Sequence, residues 1–278
     1  MRRYYIKKCL AVLRLSRFIL IFQRYRIVKK YYKEKFWLIF YWCFKKTENS
    51  NFYYDLTEQN RLYLEHFVVQ VTGVPVNLVC AYFDELLSNE TLKNHIRRSL
   101  VSSSYDEKID VKFGRRIGWY AIARITKPKV IVETGVEHGV GACVLIEALF
   151  KNKEEGFFGK YVGTDIDLNA GQLLNGKYLN LGEILFGDSI ESLRRLDEKI
   201  DLFINDSDHS SDYEYREYME VVGKLSPNAI IIGDNSHISD SLAKFSVKNS
   251  RNFLFFKEEP KSHWYPGGGI GISFKTNV

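Results

Sequence analysis

What this chain has little of narrows its class before any motif is read. Its four cysteines, Cys9, Cys43, Cys80 and Cys143, are scattered through 278 residues with no C-x-x-C pair. That argues against a zinc ribbon or a disulfide framework and favours a reducing, cytoplasmic compartment. Long apolar runs are missing too. The nine residues Phe36 to Phe44 would rise only about 14 Å as a helix, against a hydrocarbon core ~30 Å thick, so a transmembrane helix is not expected there. Internal repeats and low-complexity tracts are absent. Acidic residues are nearly absent from the start of the chain: Met1 to Lys46 holds eight Lys and six Arg but only Glu34. This segment therefore carries +13, and the other 232 residues carry −7 within a whole-chain charge of +6. So uneven a division implies two jobs, or one job and an address.

The basic segment has helical periodicity. Arg3, Lys7, Arg14, Arg17 and Arg24 share one face, with Val12, Leu15, Ile19 and Phe22 opposite. Lysines bracket the aromatic run that follows, a pattern suited to a membrane interface. Residues 1–46 are thus expected to attach peripherally to an anionic membrane surface. A packing helix, a cleaved transit peptide and a nucleic-acid contact are weaker readings, and no nucleic-acid partner is expected. Residues 1–50 form a basic aromatic amphipathic segment. Residues 51–110 read as helices broken by a turn at Gly73-Val74-Pro75, a lid or homo-oligomerisation element. A third region, residues 111–278, begins with a helix over about Asp110 to Ile125, on which Arg115 and Arg116 read as a solvated face.

From Lys129 onward, apolar strands alternate with helical segments, at Val130 to Glu133, Tyr161 to Thr164, Ile184 to Phe186, Leu202 to Asn205, Ala229 to Gly233, Phe253 to Lys257 and Ile270 to Phe274. The alternation predicts an α/β fold, a doubly wound, mainly parallel seven-stranded Rossmann-like sheet behind an N-terminal helical extension. Ligands of such sheets bind outside the carboxyl ends of the strands, and the polar residues cluster there. The first strand ends in Glu133-Thr134-Gly135-Val136-Glu137-His138-Gly139-Val140-Gly141, a spacing unlike the G-x-G-x-x-G dinucleotide fingerprint. Glu133 would crowd a pyrophosphate but can accept from the ammonium of an amino acid. Asp165 ends the second strand, where a carboxylate can take both ribose hydroxyls, and Asp188 follows the third, where it can accept from an adenine amino group. Each acid alone reads equally as a helix N-cap.

Residues 128 to 275 resemble the class I S-adenosylmethionine-dependent methyltransferases, above all the metal-assisted sugar and small-molecule O-methyltransferases related to macrolide-sugar methyltransferases and the cephalosporin-hydroxylase group. The resemblance implies S-adenosyl-L-methionine as cofactor. Glu133, Gly135 and Gly139 would then form the loop at its methionine part, with Asp165 on the ribose and Asp188 on the adenine. The fourth and fifth strands end in Asn205-Asp206-Ser207-Asp208-His209 and Gly233-Asp234-Asn235-Ser236-His237. Acids and an amide on adjacent strand ends suit a hard cation, and the resemblance implies Mg²⁺ on Asp206, Asp234 and Asn235, with Asp208 a less certain neighbour. By the same likeness His209 is the candidate catalytic base. His237 and His263 are weaker alternatives, and Tyr213 and Tyr215 are candidate pocket residues. The expected reaction is methyl transfer to a hydroxyl of a sugar or polyol-like metabolite. Rival readings are an NAD-dependent oxidoreductase and a non-catalytic membrane-attached module.

Overall fold

The computed structural model describes residues 19, 21–29, 37–38, 40–41, 44, 52–101 and 110–275. They fall into two units, Met1–Lys46 with Ser262–Trp264, and Thr47–Lys261 with Tyr265–Val278. In the first, residues 21–29 are helical, and Ile21, Phe22, Tyr25, Ile27 and Val28 are exposed. Arg26 lies over the Phe22 ring and Lys29 over Tyr25, the i,i+4 spacing that brings side chains together on a helix. Most of the basic face expected before Phe22 lies outside the described residues. Among those described, no helix is long and apolar enough to cross a membrane.

The second unit is built on seven strands. These are β1 (Val130–Thr134), β2 (Lys160–Asp165), β3 (Gly182–Phe186), β4 (Ile200–Asn205), β5 (Leu225–Gly233), β6 (Asn252–Lys257) and β7 (Gly269–Phe274), in the order β3-β2-β1-β4-β5-β7-β6. Pairing is parallel from β3 through β5, and β7 runs antiparallel to both β5 and β6. Period-two geometry turns successive side chains to opposite faces, and both faces are covered. Ile131, Leu202, Ile204, Ile230 and Ile232 enter one core, while Val130, Val132, Phe203 and Ile231 enter the other. Hence the central strands read as unbroken apolar runs.

Helices α1 (Glu58–Thr72), α2 (Val76–Leu87), α3 (Glu90–Val101), α4 (Arg116–Thr126) and α5 (Val140–Glu154) belong to the first face, and α6 (Ser189–Arg195), α7 (Ser211–Val221) and α8 (Ser241–Lys248) to the second. Thr57 caps α1 by accepting from the Asn60 amide at 3.2 Å, and Gly73 closes it in the left-handed conformation at φ 72°. The expected turn at Gly73 to Pro75 is present. Leu64, Val68, Val79, Phe83 and Leu86 are fully buried in the same core as α5 and the sheet. The helices expected as a lid or oligomerisation region are therefore continuous with the sheet domain, and they pack against it through α4.

The helix expected from about Asp110 starts only at Arg116. Gly114 precedes it at φ 50°, with the Tyr54 ring packed where a side chain would project. Residues 110–115 stay extended or turned because Gly114 must let the chain pass Tyr54.

Candidate functional site

The sheet order reverses between β1 and β4, and a cavity of about 490 Å³ opens at the carboxyl ends of the strands there. That volume suits a cofactor-sized ligand, since small-molecule clefts run to roughly 300–1,000 Å³, and the placement follows the switch-point rule for open α/β sheets. Glu133, Gly135, Asp165, Asp188, Asp206 and His209 all line the cavity. Gly139 does not. It is buried as the N-cap of α5 at φ 94°, and acts by turning the chain into the helix whose first residues, Val140 and Gly141, face the cavity. Gly135 sits at φ 81°, and a Cβ there would run into the Asp206 carbonyl, so with another residue the chain leaving β1 could not pass as close to the end of β4.

Glu133 is buried, and Tyr161 donates to its Oε2 at 2.5 Å. Burial pushes its pKa up to about 8 despite the Tyr161 bond and the nearby Arg116 guanidinium. Asp165 accepts the amides of Val136 and Glu137 on Oδ2, at 3.0 and 2.8 Å, and that of Asp167 on Oδ1 at 2.8 Å. It thereby fixes the glycine loop and keeps one lone-pair site for a ligand. Asp188 takes the N-cap role and also lines the cavity. It caps α6 through the Glu191 amide at 3.0 Å, and its Oδ2 accepts from Tyr213 at 3.1 Å. Tyr213 lines the cavity as expected. Tyr215 does not, packing instead against the core of the second face.

A second cavity of about 370 Å³ adjoins the first and shares Phe52, Arg116, Glu137, Asp206 and His209 with it. Arg115, Asn235, His237 and Tyr265 complete much of its wall. His209 thus stands on the boundary of both spaces, with Asn235 Nδ2 at 3.1 Å from its Nε2. Asn235 also donates to Asp206 Oδ1 at 3.2 Å.

Two groups escaped the sequence reading. The first is Arg115, which with Arg116 is buried rather than solvated. Arg115 Nε donates to Asp234 Oδ1 at 2.6 Å and Nη2 to Asp234 Oδ2, while Nη1 reaches Glu258 Oε1 at 2.9 Å and the Tyr54 hydroxyl at 2.7 Å. A signal was present: the segment Ile117 to Ile125 carries Arg124 as its one charge, too little to give the helix start a solvated face. The second is Glu217 on α7, fully buried, which accepts from Ser189, Asn205 and Ser207 and so ties the ends of β3 and β4 together. Burial raises its pKa to about 6.

The proposed metal donors do converge, but they do not fit a resident Mg²⁺ as they lie. Both oxygens of Asp234 are engaged by Arg115, and the Asn235 amide presents its N–H₂ to Asp206. Burial would raise the Asp234 pKa, yet the Arg115 guanidinium holds it below the ordinary range. Asp206, buried beside the Asp234 charge, is pushed well up. Asp208 is exposed, with its Oδ1 on the Ser210 amide. Among the described residues no group of three His, Cys, Asp or Glu side chains is arranged to hold a metal ion.

Comparison with known proteins bears on this geometry. Residues 132–236 match the family described as "Methyltransferase domain". The chain carries a methyltransferase domain. The matched span runs from β1 to just past β5, and so includes every strand end that builds the cavity. No curated protein matches the chain. Among solved structures, it is similar to the O-methyltransferase TomG from Streptomyces achromogenes, involved in tomaymycin synthesis and solved in complex with SAM. The identity is 16%, covering 71% of this chain and 95% of that one, with a TM-score of 0.52. It is also similar to an O-methyltransferase from Bacillus cereus solved in complex with SAH, at 13% identity, 77% and 97% coverage and a TM-score of 0.50. At these identities the likeness speaks for the fold, a class I methyltransferase sheet with its helices.

Arg115 should prove structural in a measurable way. Replacing it with Ala leaves Asp234 and Glu258 buried without a counter-charge, which typically costs about 3–5 kcal/mol. We expect Arg115→Ala to shift the urea midpoint accordingly, and millimolar Mg²⁺ to leave the wild-type melting temperature unchanged. A large Mg²⁺-induced rise would mean that Arg115 yields Asp234 to the ion.

Proposed function

We propose that this methyltransferase domain transfers a methyl group from S-adenosylmethionine to a hydroxyl of a small, oxygen-rich acceptor such as a sugar or polyol. The observation that carries the reading is the row of acids around the larger cavity, Glu133, Asp165 and Asp188 on three successive strands. Their chemistry suits in turn an ammonium, a ribose and an adenine amino group. The buried Thr164 Oγ1, also of a cavity-lining residue, has no partner among the described residues. When bound, the cofactor supplies a sulfonium methyl for in-line displacement by the acceptor oxygen. A dinucleotide reading is disfavoured by Glu133, which would lie against a pyrophosphate.

The chain's own contribution is placement and one proton transfer. The cofactor occupies the larger cavity and the acceptor the smaller one, so the methyl passes across their common wall, where His209 stands. Holding the two reactants in line can account for most of the rate gain. The acceptor hydroxyl takes the position of the Asn235 amide on Nε2 of His209 and delivers its proton there as the new C–O bond forms. Polar walls, with Arg115, Asp206, Asn235, His237 and Tyr265 around the smaller space, favour a hydroxyl-rich acceptor over an apolar one. Residues 1–46 we assign to peripheral attachment at an anionic membrane surface, on the strength of their charge and of the exposed apolar side chains on residues 21–29.

Two experiments test these assignments. General-base residues contribute about 10²–10⁴-fold, so His209→Ala should lower kcat within that range while calorimetry finds S-adenosylhomocysteine affinity unchanged; an unaltered kcat would remove His209 from the mechanism. For the address, the intact chain should sediment with phosphatidylserine vesicles at low salt. It should be largely released at about 0.5 M salt, where screening shortens to a few ångströms. Replacing Arg14, Arg17 and Arg24 by Glu should abolish the sedimentation, and an intact chain left in the supernatant at low salt contradicts the assignment.

A further inference from the structure

Arg116 is a buried guanidinium that makes no ion pair among the described residues, although the Glu133, Asp206 and Asp234 carboxyls lie within its field. Its residue exposure is 7%, no carboxylate pairs with it among the described residues, and its Nε has no hydrogen-bond partner. The one bond recorded for its head is a long 3.4 Å contact from Nη1 to the Phe52 carbonyl. The guanidinium lies 5.7 Å from the Trp119 ring centroid, an attraction that orients it without satisfying its N–H donors. Its neighbour on the chain shows the contrast, since Arg115 has two carboxylates and a phenol around it. A desolvated charge left in this condition is costly unless a ligand completes it. Arg116 lines both cavities.

We infer that Arg116 binds the carboxylate of the amino-acid end of the cofactor, opposite Glu133, which takes the ammonium. Resting on the cofactor reading above, this assigns the residue that recognises the zwitterion. A carboxylate could equally belong to an anionic acceptor in the smaller cavity. The cofactor is preferred because Arg116 and Glu133 line the larger cavity together, whereas Glu133 does not line the smaller one. Ammonium and carboxylate of an α-amino acid are substituents of one carbon, so an acid and a guanidinium that feel each other's field at one wall are complementary to that group. Arg is suited to the task by its planar fork of donors, which a carboxylate can meet with two oxygens.

Calorimetric titration of the full-length protein tests this with three ligands: S-adenosylhomocysteine, its decarboxylated analogue, and 5′-methylthioadenosine, which keeps the nucleoside and thioether but lacks the amino acid. The wild type should bind S-adenosylhomocysteine at least tenfold more tightly than the decarboxylated analogue. Arg116→Gln should lose that preference and bind 5′-methylthioadenosine as the wild type does, and Arg116→Lys should recover part of it. If the wild type binds the acid and its decarboxylated analogue equally, or Arg116→Gln weakens 5′-methylthioadenosine as much as S-adenosylhomocysteine, the inference is overturned, the second result assigning Arg116 to the shape of the cavity. Should Arg116→Gln fail to fold, the wild-type comparison and Arg116→Lys still decide. Failure of all three ligands to bind the wild type would instead overturn the cofactor reading itself.

Discussion

Two carboxylates at the far ends of β5 and β6, Asp234 and Glu258, have no solvent exposure, and one guanidinium makes that possible. Arg115 stands at the start of α4, and through it four distant stretches of chain meet: residue 54, the α4 N-terminus, and the two strand ends. Tyr54 completes the set by donating to Glu258 Oε2 at 2.6 Å, and the Gly268 amide reaches Oε1 at 2.8 Å. A buried ion pair is poor evidence for net stability, because desolvation offsets much of its attraction. What this one secures is arrangement. It locks the helices of the first face to the strand ends that form the cavities.

Electrostatics in the site follow from that lock. With Asp234 held ionised by Arg115, Asp206 faces a charged neighbour at the cavity wall, and Glu133 is buried beside the same cavity. Both carboxyls are pushed upward, and Glu133, at about 8, holds a proton near neutral pH that a cationic ligand would displace. Glu217 supports the floor beneath, holding Ser189, Asn205 and Ser207 so that the ends of β3 and β4 keep their spacing. Rigid placement of this kind is what a reaction driven by proximity requires.

Much of the fold was legible in the sequence because fully covered parallel strands leave an unmistakable trace, an apolar run ending in a polar residue. Each of the seven strands lies where its run predicts. Glu133, Gly135, Asp165, Asp188 and His209 reach one cavity because strand ends in a parallel sheet all emerge on the same edge. What the sequence concealed were partnerships across long separations. Arg115 looks like surface charge until Asp234 and Glu258, more than a hundred residues away, are brought to it. The same pairing redirects the metal expectation, since a motif of strand-end oxygens carries no mark that a guanidinium already occupies them. Gly139 is placed at the ligand by the family resemblance and Tyr215 is only a candidate pocket residue, signals that do not distinguish lining a cavity from shaping or backing it.

The central claim is that the larger cavity is built for a zwitterionic adenosyl ligand with Glu133 at its ammonium. Calorimetric titration of S-adenosylhomocysteine and NAD⁺ into the purified protein, across pH 6.5 to 8.5, tests it most directly. Because the free protein holds the Glu133 proton below about pH 8, binding an ammonium must release it, and affinity should fall as pH drops, by up to about tenfold per unit. The account predicts micromolar binding of S-adenosylhomocysteine with that pH dependence and no heat with NAD⁺. Binding of NAD⁺ in its place, or S-adenosylhomocysteine affinity that stays level from pH 6.5 to 8.5, would contradict it.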